Sequence, residues 1–294
     1  MTNNIKQAII IGGGPAGVSA ALYLARAGQK VCIIENGPGA LAKAHKIDNY
    51  YGIAASGAKL YAAGLEQARS LGVEILQDEV LGVEYTDCFT LSLKNTDEQL
   101  QTKALVLATG SKNITLNLPG LIELEGKGIS YCAVCDGFFF RKKRVAVLGN
   151  GAYALHEAAY LKQLAGSVTI LTNGQSGDAA KAAGFEVNTS VLQAVEGSGR
   201  LSSIRFTDGS TLAVDGLFIA LGTADSTDMA RKLGAELNGR FIRIDGDGAT
   251  NIPGLFAAGD CTGGLMQVAK AVHEGARAGL TALKFLRQHK TDEK

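Results

Sequence analysis

The sequence predicts an α/β protein with two Rossmann-like dinucleotide-binding domains. Two glycine-rich turns support this fold class, because each follows a short apolar strand and precedes a helix-forming segment. The second turn repeats the pattern of the first near the middle of the 294-residue chain. A pair of cysteines, Cys132 and Cys135, lies between the two turns and adds a redox-capable group to the predicted fold.

The first turn is the run Gly-Gly-Gly-Pro-Ala-Gly at residues 12–17, after a predicted strand at 5–11 and before a predicted helix at 18–26. Such a turn brings bare backbone N–H groups and the positive end of a helix to a pyrophosphate. The next strand ends at Glu35, where an acidic side chain holds a ribose hydroxyl. Strand, turn, helix and terminal acid in this order predict a dinucleotide site.

The second turn occupies residues 149–154, after a strand at 145–148 and before a helix that reaches residue 164. The strand that follows, 167–171, leads into the uncharged run Thr-Asn-Gly-Gln-Ser-Gly at 172–177. NADPH needs cations here for its 2′-phosphate, whereas NADH needs a carboxylate for its ribose. The sequence therefore predicts that the second domain is a degenerate NAD(P)H-type fold and that NAD(P)H is not used.

The two cysteines have the Cys-x-x-Cys spacing that closes a disulfide across one helical turn. Asp136 follows directly and is positioned to handle a proton. The alternatives are a zinc half-site or two inert buried thiols. Zinc needs a second pair of Cys or His ligands, and the four histidines are scattered singly, so no metal is expected.

Composition excludes several classes of function. A net charge of +1 gives no global attraction for nucleic acid or an anionic membrane. No apolar run approaches the roughly 20 residues that span a bilayer. We expect no leader segment, since the first strand begins almost at once. Five irregularly spaced cysteines suit a reducing cytoplasm, and Cys32, Cys88 and Cys261 are expected to be buried or half-buried side chains.

Taken in order, the motifs resemble the bacterial low-molecular-weight thioredoxin reductases over nearly the whole chain. The stretches that carry the resemblance are 12–17, Glu35, 49–52, 108–110, 132–137, 218–222 and 258–260. The resemblance implies a homodimer with an FAD domain made of residues 1–112 and 239–294, and a central redox domain at 113–238. The FAD contacts that it implies are Gly12, Gly14, Pro15, Ala16, Gly17, Glu35, Asn49, Thr109, Gly110, Gly259 and Asp260.

The resemblance also implies roles for the redox residues. In that family the second cysteine faces the flavin and the first attacks the thioredoxin disulfide, so Cys135 and an exposed Cys132 take those roles. Asp136 is the implied proton donor and acceptor. Thioredoxin is the implied protein substrate.

The electron donor is where this sequence departs from the family. NADPH-using members carry an Arg-rich stretch after the second-domain strand, whereas this chain has none and is short around 173–184. These departures resemble the ferredoxin-dependent flavin thioredoxin reductases, so reduced ferredoxin is the expected donor. Three alternatives stay open: an NADPH-dependent reductase that uses Lys181 or Arg205, an FAD-dependent dithiol oxidase, and a non-enzymatic flavin redox sensor.

Two neighbouring runs, one cationic and one aromatic, lie between the cysteine pair and the strand at 145–148. The cationic run Arg141–Arg144 is either a docking surface for an acidic ferredoxin or a solvated turn. The run Phe138–Phe140 is expected to belong to the core rather than to an interface.

Overall fold

The structure is a computed structural model that describes residues 5–110 and 116–291. The first part of the chain forms β1 (Ile5–Ile11), α1 (Pro15–Arg26), β2 (Val31–Glu35), α2 (Gly57–Ser70), β3 (Glu74–Gln77), β4 (Val80–Tyr85), β5 (Phe89–Leu93) and β6 (Leu100–Leu107). A 3₁₀ segment, Gly39–Lys43, lies between β2 and α2.

The middle of the chain forms β7 (Ile129–Ser130), α3 (Ala133–Asp136), β8 (Arg144–Leu148), α4 (Ala152–Lys162), β9 (Ser167–Leu171), α5 (Asp178–Ala182), β10 (Glu186–Asn188), β11 (Leu192–Glu196), β12 (Ser203–Phe206), β13 (Thr211–Ala213) and β14 (Gly216–Ile219). The last part forms α6 (Ser226–Lys232), β15 (Leu237–Asn238), β16 (Phe241–Ile242), β17 (Leu255–Ala257) and α7 (Val268–Thr291). Two further 3₁₀ segments are Gly137–Phe140 and Asp260–Thr262.

The chain divides into two compact units, one of Met1–Lys112 with Asp225–Lys294 and one of Asn113–Ala224. The first unit contains a seven-stranded sheet in the order β3-β2-β1-β6-β5-β4, with β17 beside the second half of β6. Strands β1, β2, β3, β6 and β17 are parallel, while β4 and β5 form an antiparallel extension. Residues 8–11 of β1 and 31–34 of β2 are apolar, as expected for parallel strands that helices cover on both faces.

Helices α1 and α7 of the first unit pack unusually closely. A Cβ on Gly275 would lie 2.1 Å from the carbonyl oxygen of Ala16, so only glycine permits this approach. The Ser19 hydroxyl donates to Val272 O over 2.7 Å at the same contact. This packing fixes the C-terminal helix against the helix that follows the first glycine-rich turn.

The second unit contains a parallel sheet in the order β10-β9-β8-β14-β7 and a separate antiparallel sheet, β11-β12-β13. Its strand–turn–helix pattern repeats that of the first unit, and the predicted α/β fold is confirmed. The strand predicted at 167–171 is β9, and the helix predicted after the second turn is α4, which ends at Lys162. Short β7 leads directly into the cysteine pair.

The chain returns to the first unit earlier than predicted. We predicted a junction between residues 238 and 239, whereas the structure divides after Ala224. The predicted junction would cut through the β15–β16 hairpin. The physical reason for the earlier return is a pair of hydrogen bonds between Thr109 and Ser226 at the start of α6. The Thr109 N–H donates to Ser226 Oγ over 3.0 Å, and the Ser226 N–H donates to Thr109 Oγ1 over 2.8 Å.

Candidate active site

The first glycine-rich turn has the close packing of a pyrophosphate-binding turn. Gly12 has a φ of 115°, and a Cβ there would lie 2.2 Å from Ala108 O. A Cβ on Gly17 would lie 1.9 Å from Gly12 O, so α1 can meet the turn only through glycine. A Cβ on Gly14 would meet nothing within 4 Å, and no side chain caps α1, whose first residue is Pro15. The helix N-terminus is therefore open to an anionic ligand.

Glu35 ends β2 with its side chain buried. Its Oε2 accepts a hydrogen bond from the Gly37 N–H at 2.7 Å and another from the Tyr61 hydroxyl. Burial, followed by the hydrogen bond to Glu35, raises the pKa of Tyr61, so the phenol stays a donor. Glu35 is thus oriented at the predicted ribose position. Tyr61 is not among the predicted site residues, because it lies on α2, remote in sequence from the turn.

The turn after β17 is held by an ion pair from α7. Lys270 Nζ and Glu274 lie 2.9 Å apart, and Glu274 Oε2 accepts the Gly259 N–H at 2.9 Å. Lys270 also donates to Gly259 O at 2.8 Å and to Gly263 O at 2.6 Å. Burial raises the pKa of Asp260; the Lys270 cation opposes this shift and the Glu274 anion adds to it. Lys270 and Glu274 are not among the predicted site residues, although their i, i+4 spacing on a helix was a usable signal.

The remaining predicted FAD residues lie in the same unit. Asn49 Nδ2 donates to Gln267 Oε1 over 2.9 Å, which ties the loop before α2 to the start of α7. Thr109 is engaged with Ser226, and Gly110 follows it with a φ of 77°. The residues brought into this unit are Gly12, Gly14, Pro15, Ala16, Gly17, Glu35, Asn49, Thr109, Gly110, Gly259 and Asp260.

One contact joins the two turns that FAD would use. A Cβ on Gly259 would lie 2.9 Å from the Ala16 Cβ, so the turn after β17 meets the start of α1 closely. An uncapped helix N-terminus, an oriented acid at the end of β2 and a half-buried acid at Asp260 are then part of one framework. These residues fit FAD, with the helix end suited to the pyrophosphate and the acids suited to hydroxyl groups.

The two cysteines form a disulfide at the start of α3, with their Cα atoms 5.4 Å apart. Cys132 caps the helix, because its Sγ accepts the Cys135 N–H at 3.1 Å. Cys132 is 1% exposed, whereas Cys135 is exposed. The expectation of an exposed Cys132 is therefore wrong for this oxidised state, since the sulfur at the cap position faces inward and the one a turn later faces out.

Two buried polar side chains hold the ends of the dithiol turn. Ser130 Oγ donates to Asp136 Oδ2 over 2.6 Å and accepts the Cys132 N–H at 3.0 Å. Glu157, which is 2% exposed on α4, accepts the Ala133 N–H at 2.9 Å. The backbone N–H groups at the helix start are thus satisfied from two sides, which fixes the geometry of the turn.

An apolar surface lies next to the dithiol. Phe138 is 64% exposed and Phe139 is 68% exposed, whereas Phe140 is buried. The expectation that the whole run belongs to the core is wrong for the first two, because the 3₁₀ segment turns only its last ring inward. Arg141 lies over the Phe138 ring at 5.1 Å. At the other end of the cationic run, Arg144 pairs with Asp215 at 3.1 Å, so its charge is compensated.

The second glycine-rich turn keeps the backbone pattern of the first. A Cβ on Gly149 would lie 2.1 Å from Ala220 O, as expected of a tight strand-to-helix turn. The side chain of Asn150 donates from Nδ2 to Gln175 Oε1 over 2.6 Å, and this bond crosses from the turn to the loop after β9. That loop is closed further by Thr172, whose hydroxyl donates to Gln175 O over 2.6 Å.

The described residues contain neither a metal-binding cluster nor a membrane-spanning helix. Within them no group of three or more His, Cys, Asp or Glu side chains is arranged to hold a metal ion. None of the helices in the described part of the chain combines the length and apolarity that a bilayer span requires.

Known proteins resemble this chain over almost its whole length. A family model described as pyridine nucleotide-disulphide oxidoreductase matches residues 6–275. The thioredoxin reductase of Peptoclostridium litorale is 34% identical, over 97% of this chain and 98% of that protein. An atypical thioredoxin reductase from Desulfovibrio vulgaris Hildenborough is 39% identical with a TM-score of 0.91, over 96% and 98% of the two chains. A ferredoxin-flavin thioredoxin reductase from Clostridium acetobutylicum is 28% identical with a TM-score of 0.72, over 97% and 99%.

Proposed function

The chain belongs to the pyridine nucleotide-disulphide oxidoreductase family and to its low-molecular-weight thioredoxin reductases, and from that premise we propose that its electron donor is a reduced ferredoxin. Two reduced ferredoxin molecules give one electron each. With two protons, these electrons convert the disulfide of one thioredoxin into a dithiol. FAD, when bound, supplies the chemistry that turns single electrons into a pair.

One observation carries the choice of donor. The loop Thr172–Gln175 offers no cation for a 2′-phosphate and no acid for a ribose, and Gln175 is already hydrogen-bonded to Asn150 of the glycine-rich turn. The adenosine end of NADPH or NADH would therefore find no charged partner on this loop and would have to break that hydrogen bond. The similarity to a ferredoxin-flavin thioredoxin reductase supports the same choice.

The chain's own residues divide the work of disulfide reduction. We assign Gly12, Gly14 and Gly17, with Glu35 and Asp260, to holding FAD. We assign exposed Cys135 to accepting electrons from FAD.

On the substrate side, the Cys132 thiolate attacks one sulfur of thioredoxin to form a mixed disulfide, and the other thioredoxin sulfur leaves as a thiolate that takes a proton. The Cys135 thiolate then attacks Cys132, which releases the second thioredoxin thiolate and restores the Cys132–Cys135 disulfide. Asp136 donates and accepts the accompanying protons. Because Cys132 is buried in the disulfide form, its attack requires that the sulfur become accessible.

The surface beside the dithiol supports a protein substrate. Phe138 and Phe139 present two exposed aromatic rings, and Val134 between the cysteines is 42% exposed. Exposed aromatic side chains of this kind are typical of the centres of protein–protein interfaces. A small molecule would not need such an exposed apolar surface. The surface therefore favours thioredoxin over the small dithiol that an oxidase would use as its substrate.

The second candidate is an NADPH-dependent reductase. Its support is that the curated relatives are named simply thioredoxin reductases and that the Gly149 turn keeps its tight geometry. Against it, Arg205, one of the two cations that could reach a phosphate, is paired with Glu196 at 3.1 Å. We also propose, from the family, a homodimer that works in the cytoplasm.

Reconstitution tests the proposed function. Thioredoxin reduction is measured with the holoenzyme, thioredoxin and either NADPH alone or a chemically reduced ferredoxin as sole donor. The proposal predicts turnover with ferredoxin and none above background with NADPH. Turnover with NADPH alone at micromolar concentration would establish the second candidate instead.

A further inference from the structure

Ser130 makes an unusual set of contacts next to the dithiol. Its side chain is 5% exposed, at the end of β7. The hydroxyl oxygen lies 2.6 Å from Asp136 Oδ2 and 3.3 Å from the carbonyl oxygen of Cys132, and it accepts the Cys132 N–H at 3.0 Å. One hydroxyl therefore contacts both the backbone of the first cysteine and the carboxylate that follows the second.

A hydroxyl has one proton but two acceptors here. While Asp136 is ionised, the proton points to Oδ2, and a distance of 2.6 Å is typical of a charge-assisted O–H···O⁻ bond. When Asp136 is protonated on that oxygen, its own O–H donates to Ser130. The Ser130 proton then turns to the Cys132 carbonyl. The same side chain can thus satisfy both protonation states of Asp136 without any movement of the backbone.

We infer that Ser130 is a positioning residue for proton transfer during dithiol–disulfide exchange: it holds the Asp136 carboxylate in place beside the dithiol turn. The inference rests on the role proposed for Asp136. In the exchange two thiolates of thioredoxin are released and two protons must reach them. A carboxylate of fixed orientation that can pick up and return a proton serves both transfers.

Other titratable groups lie on the element packed against α3. Helix α4 carries Tyr153, His156, Glu157 and Tyr160, and Glu157 accepts the Ala133 N–H. Past the following 3₁₀ segment, Arg141 lies over Phe138. Any of these groups could contribute to a pH profile, so the test must compare variants that differ only in the Ser130 hydroxyl.

The test measures a single exchange rather than full turnover. Holoenzyme reduced with dithionite is mixed with oxidised thioredoxin, and the rate of thioredoxin reduction is followed from pH 5 to 9. S130A is expected to slow the exchange about tenfold, with the largest loss at the acid end of the profile. S130T keeps the hydroxyl and is expected to restore the profile.

Two controls make the result specific. Ser190 also donates to a carboxylate, Asp208 Oδ2 at 2.9 Å, in the same unit, so S190A should leave the profile unchanged. If S130A loses its flavin or its fold, S130V and S130T replace it as a pair of equal shape that differ in the hydroxyl alone. The expected difference between that pair is the same loss of rate, largest at the acid end of the profile.

The outcomes separate this inference from the function on which it rests. A wild-type rate for D136N would remove the proton-transfer role of Asp136 and the Ser130 role with it. A slow D136N combined with an S130A profile equal to that of S190A would overturn the Ser130 inference alone. A uniform loss at all pH values that S130T does not recover would make Ser130 merely structural and would also overturn it.

Discussion

Asn150 Nδ2 donates a 2.6 Å hydrogen bond to Gln175 Oε1, which closes the gap between the second glycine-rich turn and the loop after β9. In a working nicotinamide site the pyrophosphate and adenosine ribose would pass this region. The chain has instead joined the two segments to each other, with uncharged side chains. The choice between a nicotinamide nucleotide and ferredoxin as electron donor therefore depends on the loop after β9.

A cation placed on the loop should create selectivity for the phosphorylated cofactor. Q175R removes the hydrogen bond to Asn150 and offers a guanidinium to a 2′-phosphate. A charge-assisted contact contributes about 1.5 to 3 kcal/mol, so NADPH should bind roughly tenfold to a hundredfold more tightly, with little change for NADH. Calorimetric titration of both nucleotides measures the effect. Q175A is the matched control, and equal gains for NADH and NADPH would contradict the explanation by charge.

The two cysteines should fail in different ways. C135S is expected to retain FAD but to leave electrons on the flavin, because the sulfur assigned to the flavin side is gone. C132S should keep that sulfur and lose the attack on thioredoxin. Each variant should reduce thioredoxin at less than about a thousandth of the wild-type rate, since exchange needs both sulfurs. A variant that kept wild-type thioredoxin reduction would show that its cysteine role is misassigned.

The ion pair of α7 should matter for FAD binding rather than for exchange. K270M leaves Glu274 without its cation and removes the donor to the carbonyl groups of Gly259 and Gly263. Removing one partner of a largely buried pair costs about 1.5 to 3 kcal/mol, so the dissociation constant for FAD should rise tenfold or more. Titration of apoprotein with FAD, followed by flavin fluorescence, measures it. K6M, which breaks the Lys6–Glu74 pair at the edge of the same sheet, should leave FAD affinity unchanged.

Thiol reactivity should follow burial. Burial raises the pKa of Cys32 and that of Cys261 to about 12, so at pH 8 only about one thiol in ten thousand is ionised at either site. Iodoacetamide at pH 8 should therefore modify half-buried Cys88 first in the oxidised protein. Buried Cys32 and Cys261 should begin to react only as the pH approaches 12 or when the protein unfolds. Peptide mass spectrometry measures the order, and early labelling of Cys261 would contradict it.

Local patterns predicted most of the fold and the redox centre. Strands β1 and β9, both glycine-rich turns and Cys132–Cys135 follow from apolar runs, glycine spacing and cysteine spacing, which are properties of neighbouring residues. The exposure of Phe138 could not be predicted in this way. In a run of three phenylalanines, the conformation of the 3₁₀ segment decides which ring points inward. The place of α6 in the first unit depends on hydrogen bonds between Thr109 and Ser226, which are far apart in sequence.

The side-chain contacts that organise the site were the least accessible to prediction. The Asn150–Gln175 bond depends on the relative course of two loops. Tyr61 reaches Glu35 only because α2 packs beside β2. The i, i+4 spacing of Lys270 and Glu274 is visible in the sequence. Their contact with the turn at Gly259 is not, because it depends on how β17 pairs with β6. In each case tertiary packing selects the partner and local sequence supplies only the donor or acceptor.

Bleaching of the flavin absorbance in the anaerobic holoenzyme distinguishes reduced ferredoxin from NADPH and NADH as the electron donor. Because the loop after β9 carries no charged side chain from residue 172 to 177, we expect a dissociation constant of about 1 mM or weaker for either nicotinamide nucleotide. NADPH and NADH at sub-millimolar concentration are therefore predicted to leave the flavin oxidised, while a low-potential reduced ferredoxin bleaches it rapidly. Saturable bleaching by micromolar NADPH would contradict the account and identify an ordinary NADPH-dependent thioredoxin reductase.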